Sequence, residues 1–148
     1  MNGAETDGIT FWTKGINCCD SEWEAAYNRF ESPEEEKVKF RRRLVAMGVS
    51  NLPRNLRVAD LFCGRGSNLS VLEELGFTDV SGVDLSPDLL ARYKGGAKRY
   101  VGDCRDLKFA DASMDLVMVQ GGLHHLPSLP DDLERVLAEI HRVLAPGG

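Results

Sequence analysis

Three aspartates, Asp60, Asp84 and Asp103, each stand where an apolar run gives way to a glycine, a serine or a turn. The runs before them are Leu56-Arg57-Val58-Ala59, Val80-Ser81-Gly82-Val83 and Arg99-Tyr100-Val101-Gly102, and Asp115-Leu116-Val117-Met118-Val119-Gln120 is a fourth run of the same kind. Runs this short, separated by stretches with helical periodicity, fit strands that return through crossovers, so the chain is expected to be α/β with a parallel sheet. Strands are expected near 56–61, 80–84, 98–102 and 115–120, and helices near 67–75, 87–94 and 130–144. Ser86-Pro87-Asp88 starts the middle helix and Gly76 ends the one before it. Leu133, Val136, Leu137, Ile140 and Leu144 form the expected core face of the last.

The first run passes through Asp60 into Leu61-Phe62-Cys63-Gly64-Arg65-Gly66-Ser67-Asn68, a strand, a tight turn and a helix start. Such a loop lets a ligand approach the backbone, and the free N–H groups of the helix start favour an anionic group there. This much fits any nucleotide-binding Rossmann unit. Asp60 narrows the choice, because a fixed negative charge repels a pyrophosphate and suits a cationic ligand with few or no phosphates. S-adenosylmethionine is such a ligand. Asp84, about 20 residues beyond the loop, has the spacing of a ribose-binding acid, which by itself does not separate S-adenosylmethionine from NAD. Asp103, after the third run, can accept from an adenine amino group.

Taken in order, Val58-Ala59-Asp60-Leu61-Phe62-Cys63-Gly64-Arg65-Gly66, Gly82-Val83-Asp84-Leu85-Ser86, Gly102-Asp103-Cys104, Met114-Asp115-Leu116-Val117-Met118-Val119, Leu123-His124-His125-Leu126 and Leu144-Ala145-Pro146-Gly147-Gly148 resemble the cofactor half of class I, Rossmann-like S-adenosylmethionine-dependent methyltransferases. The resemblance runs from residue 58 to the last residue. It implies a parallel sheet with helices on both faces, incomplete at its C-terminal side and preceded by N-terminal helices. It also implies a cofactor site made of Asp60, Phe62, Cys63, Gly64, Gly66, Asp84, Leu85, Asp103, Cys104 and Gln120. In that set Leu85 packs on one adenine face and the Cys104 backbone N–H meets adenine. Phe62 departs from the family loop, Asp-x-Gly-x-Gly-x-Gly, by replacing its first glycine. A side chain there restricts the backbone and adds bulk beside the methionine moiety. A dinucleotide reading fares worse, since it puts Leu69 where a third glycine is needed.

Residues 1–55 are read as an N-terminal helical extension that caps a substrate pocket, and 56–148 as the cofactor-binding core. Residues 1 to about 20 are polar and without clear period. Trp23, Tyr27 and Phe30 then fall on one helical face, packing against a core or touching an acceptor. The next helix is well signed: Ser32 as N-cap, Pro33 at the first position, Glu35 closing a capping box, Gly48 as stop, and Phe40, Leu44 and Met47 as the buried stripe.

With 148 residues, 43% hydrophobic and 28% charged, the chain is of single-domain size and globular composition. A net charge of −5 argues against nucleic acid as a partner, and Lys37, Lys39, Arg41, Arg42 and Arg43 read as a solvated helix face. No apolar stretch is long enough for a bilayer, the start lacks the features of a signal peptide, and a cytoplasmic location with no membrane partner is expected. Cys18, Cys19, Cys63 and Cys104 contain no Cys-x-x-Cys pair, so neither a disulfide frame nor a metal site is expected.

His124 and His125 lie where the family loop faces the methyl group and are the candidate bases, against the alternative of structural loop histidines. The expected activity is methyl transfer from S-adenosylmethionine to a small-molecule acceptor, and the alternative is a cofactor-binding module without independent catalysis. In the resembled family a fifth strand and a hairpin follow Pro146-Gly147-Gly148. A chain ending there is expected to be a fragment of a longer enzyme, or to borrow strands from a partner. The fourth strand then forms a bare apolar edge prone to self-association.

Overall fold

A computed structural model describes residues 8–16 and 31–148. Its first helix, α1 (Pro33–Ala46), begins as its sequence dictates: Ser32 Oγ accepts from the Glu35 N–H, and Glu35 reaches back to the Ser32 N–H at 2.8 Å. Glu34, Glu35 and Glu36 fill the positive end of the helix dipole and Arg43 the negative end. Gly48 ends it with φ 78°, a left-handed conformation that glycine adopts without penalty. Leu44 is fully buried and Phe40 partly so, whereas Met47 is 58% exposed. The expected stripe therefore stops one turn short, because Met47 is already the C-cap and turns away from the sheet.

Strands β1 (Ile9–Phe11), β2 (Arg57–Leu61), β3 (Asp79–Asp84), β4 (Lys98–Val101) and β5 (Leu116–Val119) form one all-parallel sheet in the order β1-β4-β3-β2-β5. Helix α2 (Ser67–Glu74) follows β2, α3 (Pro87–Leu90) follows β3, and α4 (Asp131–Val143) follows β5. The fold is the expected α/β, Rossmann-like one. Alternation along each strand feeds two cores. Val58, Val80 and Met118 face α1 and α2, where Leu44, Leu69, Val71 and Leu72 are sealed, while Ala59, Leu61 and Val83 face Val136 and Val143 of α4. Each fully buried Leu or Val contributes about 1.5–3 kcal/mol, so these two layers hold the sheet in place beneath the loops at its carboxyl end.

Three expectations need correction. Strand β1 was not expected: Ile9, Thr10 and Phe11 are strand-favouring residues but too few to establish a period, and they pair with Arg99, Tyr100 and Val101 on the outer edge of β4. Helix α3 ends at Leu90 and does not reach residue 94, because the Arg99 guanidinium takes the Leu90 and Tyr93 carbonyls at 2.6 and 3.1 Å and Tyr93 turns inward against Gly66. In α4, Val136 is fully buried as expected, but Leu137 is 53% exposed, and the second fully buried apolar position is Val143, which the expected face left out. The helical face expected for Trp23, Tyr27 and Phe30, like Cys18 and Cys19, lies outside the described residues.

Strand β5 does stand at the sheet edge. Its inner side pairs with β2, and Asp115 locks the two strands by accepting from the Arg57 N–H and from both arms of its guanidinium. Beyond β5, the described residues contribute a single bridge, between Met114 and Leu144. No helix among the described residues is long and apolar enough to cross a membrane.

Candidate functional site

All five strands point their carboxyl ends the same way, and the chain crosses from β4 to the far side of β2 to enter β5. The crevice at this switch point, above β2 and β5, is where an open α/β sheet receives a ligand. Asp60, near the end of β2, is 1% exposed and its Oδ1 has no hydrogen-bond partner. Burial pushes its carboxyl up to about 7; the Asn68 side chain pulls against this and the Asp84 charge adds to it. Asn68 Oδ1 and Gln120 Nε2, on the neighbouring helix start and at the end of β5, are also buried without partners. Orphaned buried polar atoms are uncommon, and three around one crevice point to a polar ligand that completes them.

The glycine loop is shaped to leave room above the backbone. Cys63 N–H donates to Val83 O at 3.1 Å and Gly66 N–H to Cys63 O at 3.0 Å, so the loop folds back on itself and Gly66, at φ 82°, opens α2. A Cβ on Gly64 would meet nothing within 4 Å, which makes that glycine the floor of an open cradle. Phe62 occupies the position of the missing glycine and adopts its conformation, with φ 56°. Such a conformation costs an L-residue about 1–2 kcal/mol. The compensation is contact: Phe62 packs so closely on Gly122 that a Cβ there would lie 2.5 Å from its own Cβ. Beneath the loop, Gly82 performs the close-packing role, since a Cβ there would strike Leu69 and Cys63 Sγ at 2.7 and 2.8 Å.

Asp84 ends β3 with its carboxylate accepting from Gly64 N–H and Ser86 N–H, each at 2.9 Å. Burial still raises its pKa, outweighing these donors and the nearby His125. Asp60, Gly64 and Asp84 thus form one unit in which two carboxylates with raised pKa values flank an open glycine backbone. Leu85 is half-buried, and its carbonyl accepts from Ile16 N–H at 2.7 Å. The segment from Trp12 to Ile16 therefore straps across the ends of β4 and β3, with Trp12 stacked on Tyr100 and covering Gly102.

Asp103 is not a free acceptor. Both its oxygens take bonds from Arg105, at 2.6–3.1 Å, and Arg105 also holds Asp132 at 3.1 Å. The guanidinium keeps the Asp103 carboxyl below its usual range. Cys104 is buried with its thiol pushed up to about 12, and burial also raises Cys63 well above the ordinary thiol value, so neither is poised as a nucleophile. His124 and His125 sit in a short 3-10 turn after β5, both exposed, with rings 4.0 Å apart. Burial and the adjacent His124 lower the His125 pKa against the pull of Asp84, which favours its neutral, proton-accepting form. Among the described residues, no group of His, Cys, Asp and Glu could hold a metal ion.

Several parts of this site escaped sequence reasoning. Arg65, inside the glycine loop, is buried in an ion pair with Glu36 of α1 at 3.1 Å and donates to Glu31 O at 3.0 Å, which anchors the loop from behind. Glu36 lies on the inward face of α1 beside Phe40, a charge inside an apolar stripe, and that was the available signal. Asn68 and Arg105 carried none beyond their proximity to Gly66 and Asp103.

Residues 59–148 match the family model of the methyltransferase domain. The chain is 33% identical over 129 residues to a demethylmenaquinone methyltransferase of Staphylococcus aureus, covering 82% of this chain and 51% of that protein. Its fold superimposes on a solved protein of Pyrococcus horikoshii with a TM-score of 0.73 at 27% identity, over 88% of this chain and 60% of the other. An S-adenosylmethionine-dependent methyltransferase of Mesorhizobium loti is similar at 32% identity and a TM-score of 0.58, over 70% and 49%. The chain spans about half the length of the curated relatives it matches. With a glycine loop between buried Asp60 and half-buried Asp84, a parallel sheet of the order found here and a family match over more than half its residues, the chain belongs to the class I, Rossmann-like S-adenosylmethionine-dependent methyltransferases.

Proposed function

We propose that this chain binds S-adenosylmethionine at the carboxyl ends of β2, β3 and β4 and takes part in methyl transfer to a small-molecule acceptor. The observation that carries the reading is Asp60: a buried carboxylate with an orphaned oxygen at the mouth of a glycine loop suits a cationic ligand and repels a pyrophosphate. When bound, the cofactor supplies a methyl group already activated by its sulfonium. Asp60 and Gln120 hold the cationic amino acid end over Gly64 and Gly66, beside Phe62 and Cys63, and the start of α2 receives its carboxylate. Asp84 accepts from ribose hydroxyls with the lone pairs left by Gly64 and Ser86. Asp103, Cys104 and Leu85 contact adenine, and His125, or His124 beside it, receives a proton from acceptors that must lose one. The protein's remaining work is alignment and exclusion of water. Residues before 55 cap the acceptor side, and the location is cytoplasmic, without nucleic acid or membrane partners.

The acceptor class is drawn from relatives: the Staphylococcus aureus protein is named a demethylmenaquinone methyltransferase, so a quinone is the first class to assay. The second reading, a cofactor-binding module without catalysis, draws support from Phe62, whose ring sits where the family leaves space. Calorimetric titration with S-adenosylmethionine, S-adenosylhomocysteine and NAD in parallel tests the proposal. The first two are expected to bind and NAD to fail; tight NAD binding would overturn it. Asp84→Ala is expected to weaken cofactor binding by about 1.5–3 kcal/mol, the range for charge-assisted hydrogen bonds, and unchanged affinity would remove ribose recognition from the account.

A further inference from the structure

We infer that Arg105 is a positioning residue that presents Asp103 to the purine amino group and ties this end of the cofactor site to the loop leading into α4. The inference rests on the cofactor reading above and adds a residue which that reading leaves without a role. Arg105 grips Asp103 with Nε at 3.0 and 3.1 Å from the two carboxylate oxygens and Nη2 at 2.6 Å from Oδ2, while its own N–H donates to Oδ1 at 2.9 Å. Its other arm, Nη1, reaches Asp132 Oδ2 at 3.1 Å. Asp132 is 5% exposed and accepts in turn from Ser128 N–H at 2.9 Å. One planar guanidinium thus bridges the turn after β4 and the start of α4.

Two consequences follow from the chemistry. The fork fixes the plane of the Asp103 carboxylate and keeps it ionised, and its three N–H donors leave about one of the carboxylate's roughly four acceptor positions, which matches an exocyclic amino group and not a carbonyl. The Asp132 arm makes the same guanidinium a strut for the segment from Ser128 to Asp132, which follows the His124-His125 turn. A lysine at this position would keep the charge but lose the fork.

The test measures dissociation constants of S-adenosylhomocysteine and of its 6-oxo analogue, S-inosylhomocysteine, for the wild type, Arg105→Lys and Arg105→Ala. Wild type is expected to prefer the amino purine by about tenfold or more, the equivalent of one well-placed hydrogen bond. Arg105→Ala should lose most of that preference while its affinity for the inosyl ligand changes little, and Arg105→Lys should lie between. Equal weakening of both ligands in Arg105→Ala, or an unchanged preference, would overturn the positioning role. Amide exchange without ligand gives a second readout: faster exchange at Ser128 in both variants supports the strut, and unchanged exchange refutes it. Failure of wild type to bind either ligand would refute the cofactor reading itself, whatever the variants do.

Discussion

Replacing Asp60 by asparagine should stabilise the ligand-free chain, increasingly as pH rises. The folded chain raises the Asp60 carboxyl from 3.8 to about 7 because burial disfavours its charge. A raised acid pKa means that the folded state holds the proton more tightly than the unfolded state. Stability from this group is therefore lost as pH rises between those two values, at about 1.4 kcal/mol per pH unit, and levels off above about 7. The full span is on the order of 4 kcal/mol, of which somewhat more than half falls between pH 5 and pH 8. The amide of the Asp60→Asn variant carries no titrating charge, so the stability difference between variant and wild type should grow by about that amount over the same range. Urea unfolding followed by circular dichroism at pH 5, 6, 7 and 8 measures it, with titrating groups that do not feel the Asp60 charge cancelling in the difference. Saturating S-adenosylmethionine should stabilise wild type more at pH 8 than at pH 5 and stabilise the variant less. A pH-independent difference, or one of opposite sign, would refute the picture of an uncompensated buried carboxylate.

Phe62→Gly removes both the backbone strain and the contact with Gly122, whereas Phe62→Ala keeps the strain and loses the contact. The glycine variant should be the more stable of the two by about 1 kcal/mol in thermal or urea unfolding and should keep or tighten cofactor binding; the reverse order would show that φ 56° carries no cost here. Glu36→Gln removes the carboxylate charge 3.1 Å from the buried Arg65 guanidinium and should destabilise the fold by about 3 kcal/mol, and a loss under about 1 kcal/mol in urea unfolding would refute that weight for the Arg65–Glu36 pair. Sedimentation and amide exchange should find the chain either associating through β5 or, as a monomer, exchanging fast at the outward amides of 116–119; a monomer protected there would mean that this edge is covered.

The central strands were legible because each short apolar run is bounded by a carboxylate or a turn residue and separated from the next by a stretch of helical character, and β2, β3, β4 and β5 fall within one residue of expectation at each end. Helix α1 was legible to its caps, since Ser32, Pro33, Glu35 and Gly48 act locally and need no tertiary partner. What failed depended on groups outside the element itself. Arg99, on the strand that follows, decides where α3 stops by capturing the Leu90 and Tyr93 carbonyls. Strand β1 depends on the outer edge of β4 for its ladder: Ile9, Thr10 and Phe11 are strand-favouring residues, but three of them set no period that a sequence pattern can show.

The site divides along the same line. Spacing foresees where a carboxylate stands but not what already holds it: Asp60 and Asp84 come out beside the open backbone of Gly64, whereas Asp103 comes out in the grip of a residue two positions away. The difference is energetic. A buried acid left incomplete, as Asp60 is, lowers the stability of the empty chain and gains most from a ligand that completes it. One already matched by a guanidinium gains little and contributes orientation instead. Phe62 belongs between these cases. Its sequence position announces a departure from a glycine, but only the packing against Gly122 reveals that the loop has adapted to the side chain, so the strain at residue 62 and the room at residue 122 form one feature divided between two loops.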